Sequence, residues 1–470
     1  MRERSRNRAV WSWRWIGLAA VGCMLSPGRA VAQPAPSGPL SLYDAIQLAL
    51  KNYPAIKESR ARAQAADEGI GVARTAFLPR LDMLWQENRA THNNVFGLLL
   101  PQPIVPPISG PVLGTRSYDS VWGSAAGVQL SWEAIDFGLR KANVDVARAQ
   151  SVFGKARSDL TELDVAAAAA DAFVTVLAAD QAVRAVAANV DRLQVFANTV
   201  RTLVANQLRP GADESRANAE LAIAKNQLSQ AVQAAEIARA ALADAIGAAG
   251  IAVEPAIGRL ANPPDLTSAV VADLTTHPGA RAALAAVETV RARERVLDRS
   301  YFPHVSFQTV LAGRGSGAQV PGQPLLGDGL WLQVPNWAAG MSVTFPAFDL
   351  FSVKARKRVE LQNELAERAR YDQTLQNLTT QNARARALMK AAVEIARNTP
   401  VERQAATDAE SRARARYESG LASVTEVAEA QRLLAQAEAD DAVARLGVWR
   451  ALLAVMQAQG NLQPFLNQVR

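Results

Sequence analysis

The stretch Gly127-Val128-Gln129-Leu130-Ser131-Trp132 opens a unit that occurs twice in the chain. This alternating segment leads through Asp136 into a long, Ala-rich and Pro-free run, which breaks at Arg209-Pro210-Gly211 and ends near Gly247. The same order returns at a constant offset in the numbering, and the matched pairs are Gly127 and Gly340, Leu130 and Val343, Trp132 and Phe345, Asp136 and Asp349, Leu221 and Leu434, and Gly247 and Gly460. A repeated strand, long helix, turn and helix predicts two similar halves that share one architecture.

The segment before this unit is also repeated, with a larger offset that relates Pro54 to Pro278 and Pro79 to Pro303. The numbering offset is larger before the segment between these two matching blocks than after it. The second copy of that intervening segment is therefore shorter than the first. Insertions belong in loops. The Pro- and Gly-rich segment from Thr91 to Ser120 is predicted to be a long outer loop, with Gly313 to Gln323 as its shorter counterpart.

Apolar and polar residues alternate on both sides of each loop, as at Leu81, Met83 and Trp85. Each of the four alternating segments can reach about ten residues, the length that a tilted membrane-spanning strand needs. The same alternation also fits an antiparallel hairpin in a soluble sandwich. In a membrane, four strands leave two open edges that hydrocarbon does not tolerate, so a barrel requires two or more chains.

The fold class is therefore predicted as mainly α with a membrane β-barrel, built from a duplicated helix–hairpin–long helix–helix unit. The first long helix, from Leu139 to Asn206, extends roughly 100 Å at about 1.5 Å per residue and requires equally long partners. The predicted order is a signal peptide at 1–32, a first repeat at 33–247 with a β-hairpin at 79–132 and long helices at 139–246, a connector at 248–264, a second repeat at 265–460 with a β-hairpin at 303–345 and long helices at 353–459, and a C-terminal tail at 461–470.

The N-terminal segment 1–32 has the pattern of a secretory signal. Arginines precede a short apolar run from Trp15 to Leu25, and Ala30-Val31-Ala32 offers a cleavage site. The only cysteine, Cys23, lies inside this signal, so cleavage after Ala32 leaves a mature chain without thiols. The alternative is that Cys23 closes a weak lipidation box and becomes an acylated N-terminus.

Neither a nucleic-acid partner nor an enzyme is indicated. The net charge is +7, but basic and acidic residues alternate along the helical runs, as is typical of solvated helix faces. The three histidines, His92, His277 and His304, have no second ligand at metal-binding spacing. We therefore expect no catalytic residue, no cofactor and no metal site.

Three segments, in this order and with this duplication, resemble TolC-like outer-membrane efflux proteins over essentially all of the mature sequence. They are residues 42–52, the strand-to-helix joints around Asp136 and Asp349, and residues 417–427. The resemblance implies a homotrimer, in which three chains form one 12-stranded β-barrel in outer-membrane lipid, continued by a long periplasmic α-helical barrel.

The implied function is the exit duct of a tripartite efflux or type I secretion system. Substrates would arrive from a periplasmic adaptor protein and an inner-membrane transporter. The alternative is a soluble periplasmic coiled-coil adaptor (membrane fusion) protein, which would have a single helical hairpin flanked by small β domains.

The resemblance places the adaptor-contact residues at the two helix-to-helix turns. Leu208, Gly420 and Leu421 match the positions that contact the adaptor. Gln207 stands where the first turn of the family usually has Gly, and Arg209-Pro210 is a further departure. A plain helix C-cap also explains Gly420.

The resemblance also implies a periplasmic gate near these turns. Tyr417 and Asp213 match the pair that ties the closed entrance. Glu426 and Glu429 share one helix face and would form two rings of three carboxylates in a trimer, although an acid-rich helix start explains them equally well. Ala422 replaces an arginine of the best-known gate, so the closed state is expected to be held differently.

Overall fold

The structure is a computed structural model that describes residues 38–95, 104–105, 110–266, 273–318, 320 and 327–470. Within these ranges the chain is mainly helical, with one four-stranded sheet. The predicted signal peptide, including Cys23, lies outside the described residues.

The elements of the two halves follow each other in the same order. Those of the first half are α1 (Leu42–Asn52), α2 (Pro54–Thr75), β1 (Arg80–Thr91), β2 (Ser120–Ile135), α3 (Leu139–Ala205) and α4 (Gly211–Ala245). Those of the second half are α5 (Pro278–Arg299), β3 (His304–Ser316), β4 (Val334–Thr344), α6 (Leu350–Glu418), α7 (Val424–Gln459) and α8 (Gln463–Val469). The matched residues Pro54 and Pro278 begin α2 and α5, and the starts of α4 and α7 also match at the offset of the second block.

Local sequence signals explain where the helices begin and end. The Ser41 hydroxyl accepts a hydrogen bond from the backbone N–H of Asp44 at 3.1 Å, so Ser41 caps α1. Pro54 and Pro278 occupy the first turn of α2 and α5, where a missing N–H costs nothing. Gly247 and Gly460 end the second helix of each half with left-handed φ values of 71° and 79°, a conformation that favours glycine.

One antiparallel sheet contains all four strands in the order β1-β2-β3-β4. The two halves join at its centre, where Leu130 of β2 lies opposite Thr309 of β3. Strands β1 and β4 therefore form the two edges of the sheet. Between β1 and β2, Val105 returns to the sheet and packs against Ala125 and Val310 on one of its faces.

Strand β3 extends further along the chain than the sequence predicts. The predicted loop begins at Gly313, but Gly313 and Gly315 belong to β3 and pair with Ala126 and Ser124 of β2. A β-carbon at Gly315 would lie 2.0 Å from the carbonyl oxygen of Trp331. Glycine is required here by close backbone approach and does not end the strand.

A buried ion pair fixes the joint between β2 and α3. The Arg140 guanidinium bonds the Asp136 carboxylate at 3.0 Å and donates to the carbonyls of Ala76 and Ala134 at 3.2 Å each. The side chains of the pair are only 10% and 8% exposed. Burial raises the pKa of Asp136, but hydrogen bonds from Arg140 and the Gly138 N–H outweigh it and hold the pKa below its usual value.

The largest core lies where α1, the middle of α3, the end of α7 and α8 meet. Fully buried Phe173, Leu452 and Phe465 lie within it, and Trp449 contacts Phe465 edge to face at 5.9 Å. The segment 461–470, expected to be a tail, thus includes a helix that packs into the core. Within the described ranges, no helix has both the length and the apolar character to cross a membrane.

Candidate functional site

The two helix-to-helix turns lie together at one end of the long helices. The first turn, residues 206–210, joins α3 to α4, and the second turn, residues 419–423, joins α6 to α7. One buried apolar cluster connects all four helices there, and its members are Leu193, Phe196, Ala197, Val200, Ala217, Leu221, Ala224, Tyr417, Ala422, Val424 and Val427. We call the two turns with the adjoining helix ends, residues 203–216 and 416–429, the tip.

Both turns of the tip have the same backbone geometry. Gln207 and Gly420 adopt left-handed φ values of 61° and 78°. In each turn the following leucine donates its N–H to a carbonyl of the preceding helix, Leu208 to Leu203 at 2.9 Å and Leu421 to Arg416 at 2.8 Å. This is the hydrogen bond that closes a helix after a left-handed residue. Gln207 therefore takes the conformation expected of the glycine that it replaces.

The predicted adaptor-contact leucines are exposed. Leu208 is 68% exposed and Leu421 is 71% exposed, although both lie in turns after helices that contribute to the buried tip cluster. Exposed apolar side chains brought together by two turns suit a partner-binding surface. Their contact with an adaptor stays a prediction.

The structure places Tyr417 and Asp213 near each other, and their role in closing the entrance stays a prediction. Tyr417 is 1% exposed and packs edge to face on Phe196, with ring centroids 5.4 Å apart. Burial, and then the negative charge of Asp213, raise the pKa of the Tyr417 hydroxyl. The Tyr417 hydroxyl has no hydrogen-bond partner of good geometry among the described residues.

Arg209 is a tip residue whose contacts the sequence analysis did not identify. Its guanidinium lies 4.4 Å from the centroid of the Tyr417 ring and donates to the Tyr417 carbonyl at 2.6 Å. The two residues are far apart in the sequence, so no local pattern reveals the contact. The only signal was the departure of Arg209-Pro210 from the usual first turn.

The two predicted gate glutamates occupy the first turns of α7 and differ in their contacts. Glu426 forms a capping box with Ser423, in which the Glu426 N–H donates to the Ser423 hydroxyl at 3.3 Å and its carboxylate accepts from the Ser423 N–H at 3.4 Å. Its other oxygen lies 3.8 Å from Arg416. Glu429 is exposed. The helix-start explanation is thus observed for Glu426, and the ring of carboxylates stays a prediction for both.

Polar contacts also join α4 directly to α7, one within the tip and one just beyond it. Arg216 donates to the Thr425 hydroxyl at 2.8 Å, and Arg432 lies 3.4 Å from the Glu220 carboxylate. The first hairpin, α3 with α4, and the second hairpin, α6 with α7, are therefore linked by side chains at several levels. Across the part of the chain that the structure describes, no group of three or more His, Cys, Asp or Glu residues could hold a metal ion.

The chain matches the family model described as outer membrane efflux protein over residues 45–248 and 274–461. Solved structures with the same fold include the CmeC outer membrane channel of Campylobacter jejuni, at 16% identity over 89% of this chain and 85% of that one, with a TM-score of 0.73. The outer membrane protein VceC of Vibrio cholerae shares 17% identity over 89% of this chain and 96% of that one, with a TM-score of 0.71.

The MtrE outer membrane channel of Neisseria gonorrhoeae, solved in an open state, shares 20% identity over 90% of this chain and 89% of that one, with a TM-score of 0.70. No curated protein sequence matches the chain significantly. The family match confirms the predicted family and the predicted outer-membrane location, and it does not support the alternative of a soluble periplasmic adaptor. The chain belongs to the outer membrane efflux protein family.

Proposed function

We propose that three copies of the chain form the outer-membrane exit duct of a tripartite efflux or secretion system. The observation that carries this proposal is the four-stranded sheet, whose edge strands β1 and β4 each pair with one neighbour only within the described residues. An open sheet edge in hydrocarbon leaves backbone groups without partners. Strand pairing between three copies closes the wall and yields twelve strands.

The two faces of the sheet support a barrel with lipid outside and water inside. One face carries Met83, Trp85 and Trp337, which are 80%, 79% and 78% exposed. The opposite face carries Gln129 and Gln308, together with Asp82, Ser131, Ser306, Asn336 and Ser342. An apolar outer band and a polar interior are the signature of a membrane barrel.

The long helices also need partners from other copies. Only nine of the 69 residues of α6 are buried in a single chain. Its exposed large apolar side chains recur along its length, and they are Leu350, Phe351, Val359, Leu361, Leu365, Leu388, Ile395 and Val401. A helix surrounded by water buries such apolar side chains against a neighbouring helix. Neighbouring copies supply it in an α-helical barrel that continues the β-barrel.

The tip is the proposed periplasmic entrance. Tyr417 with Asp213 holds the two hairpins of one chain together, and Glu426 and Glu429 of three copies line the mouth with carboxylates, which favour cations. Leu208, Gly420 and Leu421 form the surface that receives the periplasmic adaptor, through which an inner-membrane transporter delivers the substrate.

Single-channel recording in planar bilayers tests this function. The wild-type protein is expected to conduct, and Tyr417→Phe combined with Asp213→Ala is expected to conduct more, because the tie at the entrance is weakened. Tyr371→Phe combined with Asp372→Ala, within α6 and away from the tip, is the matched control. Unchanged conductance of the tip variant would remove Tyr417 and Asp213 from the gate, and absence of any conductance in the wild type would contradict the channel.

A further inference from the structure

We propose that Arg209 is the latch of the entrance, a positioning residue that keeps the tip closed by binding the first turn to the last turn of α6. This inference rests on the proposed channel and adds a residue to its gate. The latch is defined as the contact of the Arg209 guanidinium with the ring and the carbonyl of Tyr417.

The latch bridges the two hairpins of the chain. Arg209 belongs to the turn between α3 and α4, whereas Tyr417 belongs to the last turn of α6. No covalent connection near the tip joins these hairpins, since the chain between them runs through α5 and the sheet. Any widening of the entrance that moves the second hairpin away from the first must break the contact between Arg209 and Tyr417.

The surroundings of Arg209 show a side chain turned inward from an exposed turn. Gln207, Leu208 and Pro210 are all exposed, but Arg209 is half-buried. It lies on a tyrosine that is 1% exposed. Because water is largely excluded from the ring, the attraction between the guanidinium and the π-face is stronger than at an open surface.

Two electron-rich features of Tyr417 bind this one cation. The first is the Tyr417 carbonyl in the last turn of α6, which also accepts from the Gly420 N–H at 3.0 Å and lies where the helix dipole favours a positive charge. The second is the face of the Tyr417 ring. A planar guanidinium can stack on the ring and donate in its own plane at the same time, which the ammonium of lysine cannot do.

The second turn does not supply an equivalent cation. The counterpart of Arg209 in the second half is Ala422, which is buried in the apolar cluster of the tip. Arg416, at the end of α6, donates to the Leu421 carbonyl at 3.3 Å. Both residues belong to the second hairpin, so this bond does not link the two hairpins. The guanidinium that links the two turns is thus supplied by the first turn, in keeping with the expectation that Ala422 changes how closure is achieved.

Single-channel conductance of the full mature chain tests the latch. Arg209→Ala and Arg209→Lys are both expected to raise conductance about twofold or more, because both remove the stacked and bonded guanidinium that keeps the entrance narrow. Arg201→Ala is the matched control: it removes an arginine near the same end of the long helices, but its partner, Glu214, lies in the same hairpin. It is expected to leave conductance unchanged.

The lysine variant separates the latch from a mere change of charge at the mouth. If Arg209→Lys and Arg209→Ala both conduct as the wild type does, the latch is wrong while the channel stands. If only Arg209→Ala conducts more, the effect is one of charge and the latch is also wrong. A wild-type protein that does not conduct overturns the proposed channel and the latch with it. Should Arg209→Ala fail to assemble, Arg209→Lys alone decides by the same criterion.

Discussion

Gln207 and Gly420 occupy equivalent positions in the two halves and adopt the same left-handed backbone, with φ of 61° and 78°. The two turns of the tip are therefore built alike, although their sequences differ. A left-handed conformation costs a residue with a β-carbon about 1–2 kcal/mol. The first turn carries this cost, and the second turn avoids it through glycine.

Gln207→Gly is therefore expected to stabilise the protein. Relief of the left-handed strain outweighs the greater loss of backbone entropy by glycine, and the net gain is up to about 1 kcal/mol. The midpoint of thermal unfolding in detergent measures it. Gln233→Gly, at an exposed position in the interior of α4, is the matched control and should lower the midpoint, since glycine destabilises a helix interior by about 0.5–1 kcal/mol. A lower midpoint for Gln207→Gly would contradict the geometry of the first turn.

The buried pair at the joint between β2 and α3 predicts a large loss of stability. Arg140→Met keeps much of the side-chain volume but leaves Asp136 buried without its partner, which costs about 3–5 kcal/mol. Arg148→Met breaks the exposed pair with Asp145 and is expected to cost less than about 1 kcal/mol. Equal unfolding midpoints for the two variants would show that the Asp136 joint does not stabilise the fold.

Buried His277 predicts that acid weakens the helical region. Its Nδ1 accepts a hydrogen bond from the Gly279 N–H at 2.9 Å, so the ring is neutral and caps α5. Burial lowers the pKa of His277 from the usual 6.5, and the bond to the Gln457 carbonyl and the charge of Asp164 oppose this only partly. The unfolded chain thus binds this proton more readily than the folded chain. The stability that depends on neutral His277 is present above pH 6.5 and is lost as the pH falls through the lower folded-state pKa.

Replacement of this histidine should remove that part of the pH dependence. Unfolding midpoints measured between neutral and mildly acidic pH are expected to fall less steeply for His277→Gln than for the wild type. His92→Gln, in the loop after β1, is the control for loss of a histidine and should keep the wild-type slope. An unchanged slope in His277→Gln would assign the acid sensitivity to other groups.

The exposed face of the sheet predicts where a charge prevents membrane insertion. Met83→Lys places an ammonium on the apolar face of β1, which costs about 2–4 kcal/mol near the middle of a bilayer. Asn88→Lys places the same group on the opposite, polar face of the same strand. Folding into lipid vesicles should fail or slow for Met83→Lys only. Similar yields for both variants would contradict the assignment of the two faces.

The duplication made most of the fold predictable from the sequence. Two constant offsets located the paired helices, because insertions are confined to loops and the helices keep their lengths. The glycines of β3 misled the prediction, since glycine usually ends a strand, whereas Gly315 is needed for close approach to Trp331. The helix Gln463–Val469 was missed because it is too short to show a helical period.

The candidate site was predictable only in part. The positions of Tyr417 and Asp213 followed from the resemblance, and the structure brings them together. The contact between Arg209 and Tyr417 depends on how two hairpins pack, so no periodicity or spacing in the sequence carries it. The left-handed backbone of Gln207 was hidden as well, because glutamine rarely adopts it.

Native mass spectrometry of the mature protein, extracted with detergent from outer membranes, tests the central claim most directly. The open edge strands of the sheet and the exposed apolar side chains of α6 require identical neighbours, so the particle is expected to contain three chains. Recovery of the protein as a single chain that stays in solution without detergent would contradict the account.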